Sequence, residues 1–123
     1  MTPLEGLFGR RVLIATDESF VALYLSMSLP QWGLEVVGPL RSADAIVPHV
    51  DTTRPDLACI SINLPGLEPR MAQDMRDRGV ACLFFGLPLT GAAWTTALDM
   101  RWPFSAFQMA YELSLLMTKP RAC

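Results

Sequence analysis

The run of apolar and β-branched residues at positions 11–16 most strongly constrains the fold of this chain. It shows no alternation of polar and apolar side chains, so a strand formed there has both faces covered. Such strands are typical of a parallel sheet with helices on each side. Further strands are predicted at residues 34–37, 57–62 and 80–85, with a short fifth strand at residues 100–102.

Helical segments lie between the predicted strands, at residues 20–29, 42–50, 67–78 and 105–117. Ser19 or Asp17 is the expected N-cap of the first helix, and Pro48 is expected to break or shorten the second. Because strands and helices alternate, each crossover between parallel strands should be right-handed. The pattern predicts an α/β fold with a doubly wound five-stranded parallel sheet in the order 2-1-3-4-5 and helices on both faces.

The chain length of 123 residues and the hydrophobic content of 51% suit a single hydrophobic core. We expect one domain at residues 11–118, a short N-terminal extension at residues 1–10 and a C-terminal tail at residues 119–123. The net charge of −2 argues against nucleic-acid binding, which usually needs a clustered basic excess.

The cysteine pattern and the hydropathy bear on the compartment. The 3 cysteines form an odd count without metal-ligand spacing, and Cys59 and Cys82 are expected to be buried thiols on neighbouring strands. No apolar run is long enough to span a bilayer, and the first residues lack the pattern of a signal peptide. We therefore expect a cytoplasmic protein without membrane insertion.

The candidate functional residues lie where the predicted strands end. Thr16 and Asp17 follow the first strand, and Ser61, Gly86 and Trp102 stand at the ends of the third, fourth and fifth strands. In open parallel sheets, ligands bind at the carboxyl ends of the strands. These positions therefore form the candidate site.

Six short motifs along the chain match a known family. They are Arg-Val-Leu-Ile, Asp-Glu, Val-Val-Gly-Pro, Pro-Asp-Leu, Asn-Leu-Pro-Gly and Pro-Phe-Ser, in this order between about residues 11 and 117. On these motifs the chain resembles the response-regulator receiver domains of bacterial two-component phosphorelay signalling, which have the CheY-like, or flavodoxin-like, fold. The resemblance implies that residues 11–118 form a receiver-like domain.

The resemblance also indicates that the phosphorylation site is degenerate. The family's phosphoacceptor aspartate falls at Ser61, and a serine cannot form an acyl phosphate. The family's acidic pair, which holds Mg²⁺, falls on Thr16 and Asp17, so one of its carboxylates is also lost. Asp17 and Glu18 are then the remnant of an acidic site, and we expect neither a metal nor another cofactor to be bound.

Further functional positions of the family are altered as well. The lysine that neutralises the phosphoryl group falls at Trp102. The hydroxyl residue that reads phosphorylation falls at Gly86 without a gap, or at Phe85 or Leu87 with a small gap, and none of these residues carries a hydroxyl. The segment at residues 87–99 is shorter than usual in the family, so the fourth helix should be shortened or irregular, and Asp99 stands at the position of the switch aromatic. Phosphoryl transfer depends on electrostatic stabilisation, so we expect no enzymatic activity.

The first and last helices carry almost no charge. Residues 20–34 contain no charged side chain, and residues 104–117 contain only Glu112. In the predicted fold these helices pack side by side, so their outer faces would form one weakly polar patch. The residues predicted to form this interface are Val21, Tyr24, Leu25, Phe107, Tyr111 and Leu115.

The expected function is that of a pseudo-receiver domain acting by phosphorylation-independent protein–protein interaction. Its expected partners are a second copy of the chain and a histidine kinase or another signalling protein, since symmetric homodimers are the commonest way to cover such a patch. Two alternatives stay open. The vacated pocket near Asp17, Ser61 and Trp102 could hold a small molecule, or Ser61 could act as a phosphorylated hydroxyl or nucleophile, although it lacks a nearby base.

Overall fold

The computed structural model describes residues 3–86, 98–101 and 104–118. Five parallel strands form one sheet in the order β2-β1-β3-β4-β5, which confirms the predicted fold class and strand order. The strands are β1 (Arg11–Ala15), β2 (Glu35–Leu40), β3 (Leu57–Ser61), β4 (Ala81–Gly86) and β5 (Met100–Arg101). The predicted fourth helix between β4 and β5 and the C-terminal tail lie outside the described residues.

Helices cover both faces of the sheet. They are α1 (Ser19–Ser28), α2 (Ile46–Thr53), α3 (Met71–Asp77) and α4 (Ala106–Thr118). Alternate residues of each central strand enter two separate cores because successive side chains of a strand point to opposite faces. Val12 and Ile14 pack with α1 and α4, whereas Leu13 and Ala15 pack with α2 and α3. None of the helices in the described residues is long and apolar enough to span a bilayer.

The N-terminus of α1 differs from the prediction. Glu18 is the N-cap residue and makes no side-chain capping bond, whereas Ser19 is already the first helical residue. The predicted cap at Ser19 or Asp17 is therefore wrong. Instead, the Thr16 hydroxyl accepts a hydrogen bond from the Glu18 backbone N–H at 3.2 Å, which satisfies an amide just before the helix.

Two other elements, α2 and β2, each contain a proline. Helix α2 begins at Ile46 and contains Pro48 in its first turn, where the missing N–H has no intrahelical partner to lose. Strand β2 continues through Gly38 and Pro39, which are joined by a cis peptide bond. Gly38 has a φ of +98°, and a Cβ at this position would lie 2.7 Å from the Ile14 carbonyl oxygen, so only glycine fits beside β1.

The start of α4 is capped from two directions. Ser105 and Gln108 form a capping box, in which the Ser105 Oγ accepts from the Gln108 N–H and the Gln108 Oε1 accepts from the Ser105 N–H. The Tyr24 hydroxyl oxygen of α1 accepts a hydrogen bond from the Ala106 N–H at 2.8 Å. Helix α1 therefore holds the first turn of α4, and the two helices lie on the same face of the sheet.

The segment before β1 is part of the same core. Residues Pro3–Leu7 form a 3₁₀ helix that contacts α4, and the Leu7 side chain is fully buried in the α1–α4 core. The backbone N–H of Gly9 donates to the Gly33 carbonyl at 2.9 Å. The N-terminal extension is thus docked on the domain at both of these points.

Ser26→Ala is expected to raise the free energy of unfolding by about 1 kcal/mol, because the buried Ser26 Oγ in α1 has no hydrogen-bond partner among the described residues. Ser114→Ala is the matched control. Its hydroxyl is also buried in a helix but donates to the Tyr111 carbonyl, so its removal should not stabilise the protein. Urea unfolding followed by circular dichroism measures both. Equal effects of the two substitutions would contradict this interpretation.

Candidate functional site

A cavity of about 250 Å³ lies where three neighbouring strands end. The ends of β1, β3 and β4 form its floor, and the first turn of α1 forms one wall. The described residues that line it are Thr16, Glu18, Phe20, Val21, Ser61, Asn63, Phe85 and Gly86. The structure therefore brings together three of the predicted strand-end positions, namely Thr16, Ser61 and Gly86.

Two buried hydroxyls occupy the former acidic positions. Thr16 is 1% exposed and Ser61 is 2% exposed. The Thr16 Oγ1 accepts from the Glu18 N–H, and the Ser61 Oγ accepts from the Asn63 N–H, each at 3.2 Å. Short hydroxyl side chains commonly bond to the amide two residues ahead, and this explains why both loops turn sharply at these points. Each hydroxyl thus stabilises its own loop.

Asp17 and Glu18 have different surroundings. Glu18 lines the cavity, whereas Asp17 is half-buried and is not among the described lining residues. The backbone carbonyl of Asp17 accepts a hydrogen bond from Arg41 at 3.1 Å, and the same guanidinium donates to the Ser19 Oγ at 3.2 Å. Arg41 therefore ties the loop after β2 to the start of α1.

The described residues do not fit the magnesium ion that the family resemblance implies. Mg²⁺ requires oxygen ligands in near-octahedral geometry, usually with more than one carboxylate or with substrate phosphates. Glu18 is the single carboxylate among the described lining residues, and no group of three His, Cys, Asp or Glu side chains converges within the described part of the chain. The donor set at this site is therefore too poor in charge to recruit the ion.

Gly86 closes the cavity at the end of β4. Its φ is +141°, and a Cβ there would lie 2.7 Å from the Asn63 Oδ1 and 2.8 Å from the Ile62 Cγ1. A hydroxyl-bearing residue at this position would meet both atoms. The backbone at this position therefore has a conformation that glycine adopts more readily than any other residue.

Two of the predicted positions, Trp102 and Asp99, are not among the described residues that line the cavity. Trp102, which stands where the family has its lysine, lies outside the described residues. Asp99, at the position of the family's switch aromatic, bonds to β4 instead. Its carboxylate accepts from the Phe84 N–H and its own N–H donates to the Phe84 carbonyl, both at 2.8 Å.

The prediction that Val21 and Leu25 are surface residues is wrong. Both side chains belong to the core between the sheet, α1 and α4, and Leu25 is 0% exposed. Helix α1 has no charged side chain on any side, so its sequence does not show which side faces the sheet. Of the other predicted interface residues, Phe107 and Tyr111 are exposed, whereas Tyr24 and Leu115 are half-buried.

Three exposed residues on α1, Phe20, Leu23 and Met27, were not among the predicted interface residues. Phe20 is 74% exposed and Met27 is 69% exposed, and Leu23 lies between them on the same side of the helix. We call these residues together with Phe107 and Tyr111 the α1–α4 surface. The spacing of three and four residues in α1 is the sequence signal for a common face, but it does not reveal that this face is the outer one.

The thiols of Cys59 and Cys82 are expected to be unreactive. Burial raises the pKa of the Cys59 thiol well above its usual range, and the charge of Asp99 raises it further. Burial likewise raises the pKa of Cys82. Because the thiolate is the nucleophilic form, neither side chain offers a reactive group at neutral pH.

Comparison with known proteins defines the fold. The sequence matches no protein-family model and no curated protein sequence. In structure it is similar to the response regulator PhyR from Brucella abortus, with a TM-score of 0.75 and 17% identity over 94% of this chain and 50% of that one. A putative response regulator from Chloroflexus aurantiacus J-10-fl has a TM-score of 0.72 and 19% identity over 89% of this chain and 98% of its own.

A third structure belongs to the same group. The anti-anti-sigma factor PhyR from Bartonella quintana has a TM-score of 0.74 and 16% identity, over 93% of this chain and 49% of that one. The chain therefore spans about half the length of the two PhyR proteins. Its fold is that of a response-regulator receiver domain, which confirms the sequence resemblance at the level of structure.

Proposed function

We propose that this chain is a pseudo-receiver domain of bacterial two-component signalling, located in the cytoplasm, that acts by protein–protein interaction and without phosphorylation or catalysis. The observation that carries the proposal is the joint occurrence of a receiver fold, neutral hydroxyls at two acidic positions and an exposed apolar surface on α1 and α4. That PhyR of Bartonella quintana is an anti-anti-sigma factor supports a role exerted through contact with another protein.

The chemistry at the strand ends supports the absence of phosphorylation. An acyl phosphate needs a carboxylate nucleophile and a cation beside it, and here Ser61 supplies a neutral hydroxyl whose oxygen already accepts the Asn63 N–H. Glu18, the one carboxylate among the described lining residues, would repel a phosphoryl donor rather than assist it.

The exposed apolar area supports the interaction role. In the described residues, five of the six exposed large apolar side chains belong to the α1–α4 surface, and the sixth is Phe8. Their exposed fractions correspond to roughly 500 Å² of apolar surface, taking about 150–250 Å² for a fully exposed aromatic side chain. Contiguous apolar patches of several hundred Å² on monomeric proteins are often binding sites.

A second copy of the chain is the partner that suits this surface. A twofold interface brings the same patch of two chains together, so a patch rich in charges of one sign would meet charges of that sign in its partner. Helix α1 has no charged residue and α4 has only Glu112, so self-association brings little like-charge repulsion. About 500 Å² of apolar surface per chain, with the surrounding serine and glutamine side chains, approaches the roughly 800 Å² per partner of a stable interface.

Size-exclusion chromatography with light scattering tests the surface. We expect the wild-type protein to show twice the mass of one chain, and Leu23→Glu and Phe107→Glu to shift it to the monomer. Thr52→Glu is the control because Thr52 is exposed on α2, on the other side of the sheet. A wild-type monomer at every concentration would exclude the second copy and leave a histidine kinase or another signalling protein as the partner to be tested.

Ser61→Asp is expected not to restore phosphorylation. The substitution supplies the missing nucleophile but leaves Thr16 neutral, so the site still lacks the carboxylate pair that holds Mg²⁺. Acetyl phosphate with Mg²⁺ should therefore give no added mass of one phosphoryl group, measured by intact-protein mass spectrometry, on either the wild type or this variant. Rapid formation of an acid-labile adduct on the wild type would refute the proposed function.

A further inference from the structure

The two buried hydroxyls in the cavity have hydrogen-bonding capacity that the protein does not use. The oxygens of Thr16 and Ser61 accept backbone N–H groups, which occupies one lone pair of each. Neither hydroxyl donates its own proton to any acceptor in the described part of the chain. Both residues are more than nine-tenths buried and line the cavity, so the two O–H groups are available to a hydrogen-bond acceptor inside it.

The walls of the cavity are apolar and partly fixed. Phe20, Val21 and Phe85 line it, and the Phe85 ring is held by an edge contact with Phe104 at a centroid distance of 5.5 Å. An aromatic ring whose position is set by packing provides a prepared contact for a planar molecule. The cavity therefore combines flat apolar walls with hydroxyl donors at its floor.

The volume limits the size of the occupant. An engineered apolar cavity of about 150 Å³ holds benzene, which has six heavy atoms. By this scale a cavity of about 250 Å³ holds roughly ten non-hydrogen atoms. A bicyclic heteroaromatic ring system has this size.

The charge around the cavity restricts the occupant further. Glu18 is the single charged side chain among the described lining residues, and its carboxylate accepts hydrogen bonds and repels anions. The guanidinium of Arg41 is directed to the Asp17 carbonyl and the Ser19 hydroxyl, and Arg41 is not a lining residue. Phosphates and carboxylates are therefore disfavoured, whereas a neutral molecule with a donor group is suited to Glu18.

We propose that this cavity binds an uncharged planar heteroaromatic molecule of the size of a purine base. Ring nitrogens or a carbonyl oxygen of the molecule accept hydrogen bonds from the hydroxyls of Thr16 and Ser61. An amino group donates to the carboxylate of Glu18, and the ring faces pack against the apolar walls. This binding site is separate from the α1–α4 surface except at Phe20, which lines the cavity and is also exposed on α1.

Titration of the ¹⁵N-labelled full-length chain with adenine, followed by two-dimensional NMR, tests the proposal. We expect shifts of the amide signals of Thr16, Ser61 and Gly86 that saturate with added adenine. Ser61→Ala and Thr16→Val should each weaken adenine binding about tenfold, because each removes one hydrogen-bond donor. Thr16→Ser keeps the hydroxyl and should bind adenine within about twofold of the wild type.

Two comparison compounds complete the experiment. Indole has nearly the same size but lacks the acceptor nitrogens, so we expect it to bind at least about tenfold more weakly than adenine. Inorganic phosphate should leave the cavity signals unchanged. The proposal is overturned if adenine causes no shifts up to its solubility limit, if indole or phosphate binds as well as adenine, or if well-folded Ser61→Ala and Thr16→Val proteins bind adenine as the wild type does.

Discussion

Gly86→Thr is expected to lower the free energy of unfolding by about 3 kcal/mol. A residue with a side chain at a φ of +141° costs of order 1–3 kcal/mol in backbone strain. Overpacking against the Asn63 Oδ1 and the Ile62 Cγ1, at 2.7 and 2.8 Å from the new Cβ, adds about 1–3 kcal/mol. Urea unfolding measured by tryptophan fluorescence and circular dichroism gives the change directly.

Gly6→Ala is the matched control for this substitution. A Cβ at Gly6 would meet no atom within 4 Å, and the φ of this residue is not in the left-handed region. Its free energy of unfolding should therefore stay within about 1 kcal/mol of the wild type. A Gly86→Thr protein that unfolds at the wild-type urea midpoint would show that the end of β4 is not constrained as described.

The expected cost at Gly86 bears on whether the domain could regain a switch. The gap-free match to the family puts its read-out hydroxyl at this position, where the backbone and the Asn63 side chain leave no room for it. Restoring the phosphoacceptor, the second carboxylate and this hydroxyl together would therefore also require the loop at Asn63 to move. The departure from the receiver pattern involves the backbone as well as the side chains.

Leu25→Ala is expected to lower the free energy of unfolding by about 3 kcal/mol, whereas Leu23→Ala should change it by less than about 0.5 kcal/mol. Leu25 is fully buried between α1, the sheet and α4, so truncation leaves a cavity lined by core residues. Leu23 is exposed on the opposite side of the same helix. The pair therefore tests the orientation of α1 with the same chemical change at positions two residues apart.

Thermal unfolding by calorimetry or circular dichroism provides the measurement. For a domain of this size, a loss of about 3 kcal/mol corresponds to a decrease in Tm of roughly 10 °C. If Leu23 forms part of a dimer interface, its substitution should also make the Tm less dependent on protein concentration. A larger loss of stability at Leu23 than at Leu25 would mean that the helix is rotated relative to the structure.

The strands and their order were predictable because buried parallel strands carry an unambiguous signal. The predicted segments at residues 11–16, 57–62 and 80–85 each overlap the observed strand to within one residue at either end. The ends of helices were less predictable. The Thr16 hydroxyl replaces the expected cap, and Pro48 is accommodated in the first turn of α2, where sequence alone suggested a break.

The position of the candidate site was predictable, but its walls were not. Thr16, Ser61 and Gly86 meet because parallel strands end at one edge of the sheet. Phe20 and Phe85 also line the cavity because of tertiary packing. An apolar residue near a strand end does not by itself indicate that its side chain lines a cavity. The misassignment of Val21 and Leu25 has a related cause, since a helix without a charged face does not reveal its orientation.

The docking of the 3₁₀ helix Pro3–Leu7 against α4 has a consequence for synthesis on the ribosome. The core beneath α2 and α3 is formed by residues up to Leu98, whereas the core that contains Leu7 also requires α4, which is synthesised later. Chains are released from the N-terminus onward, so the side of the sheet bearing α1 is completed last. The α1–α4 surface therefore exists only on chains whose α4 segment has been synthesised and has left the ribosome.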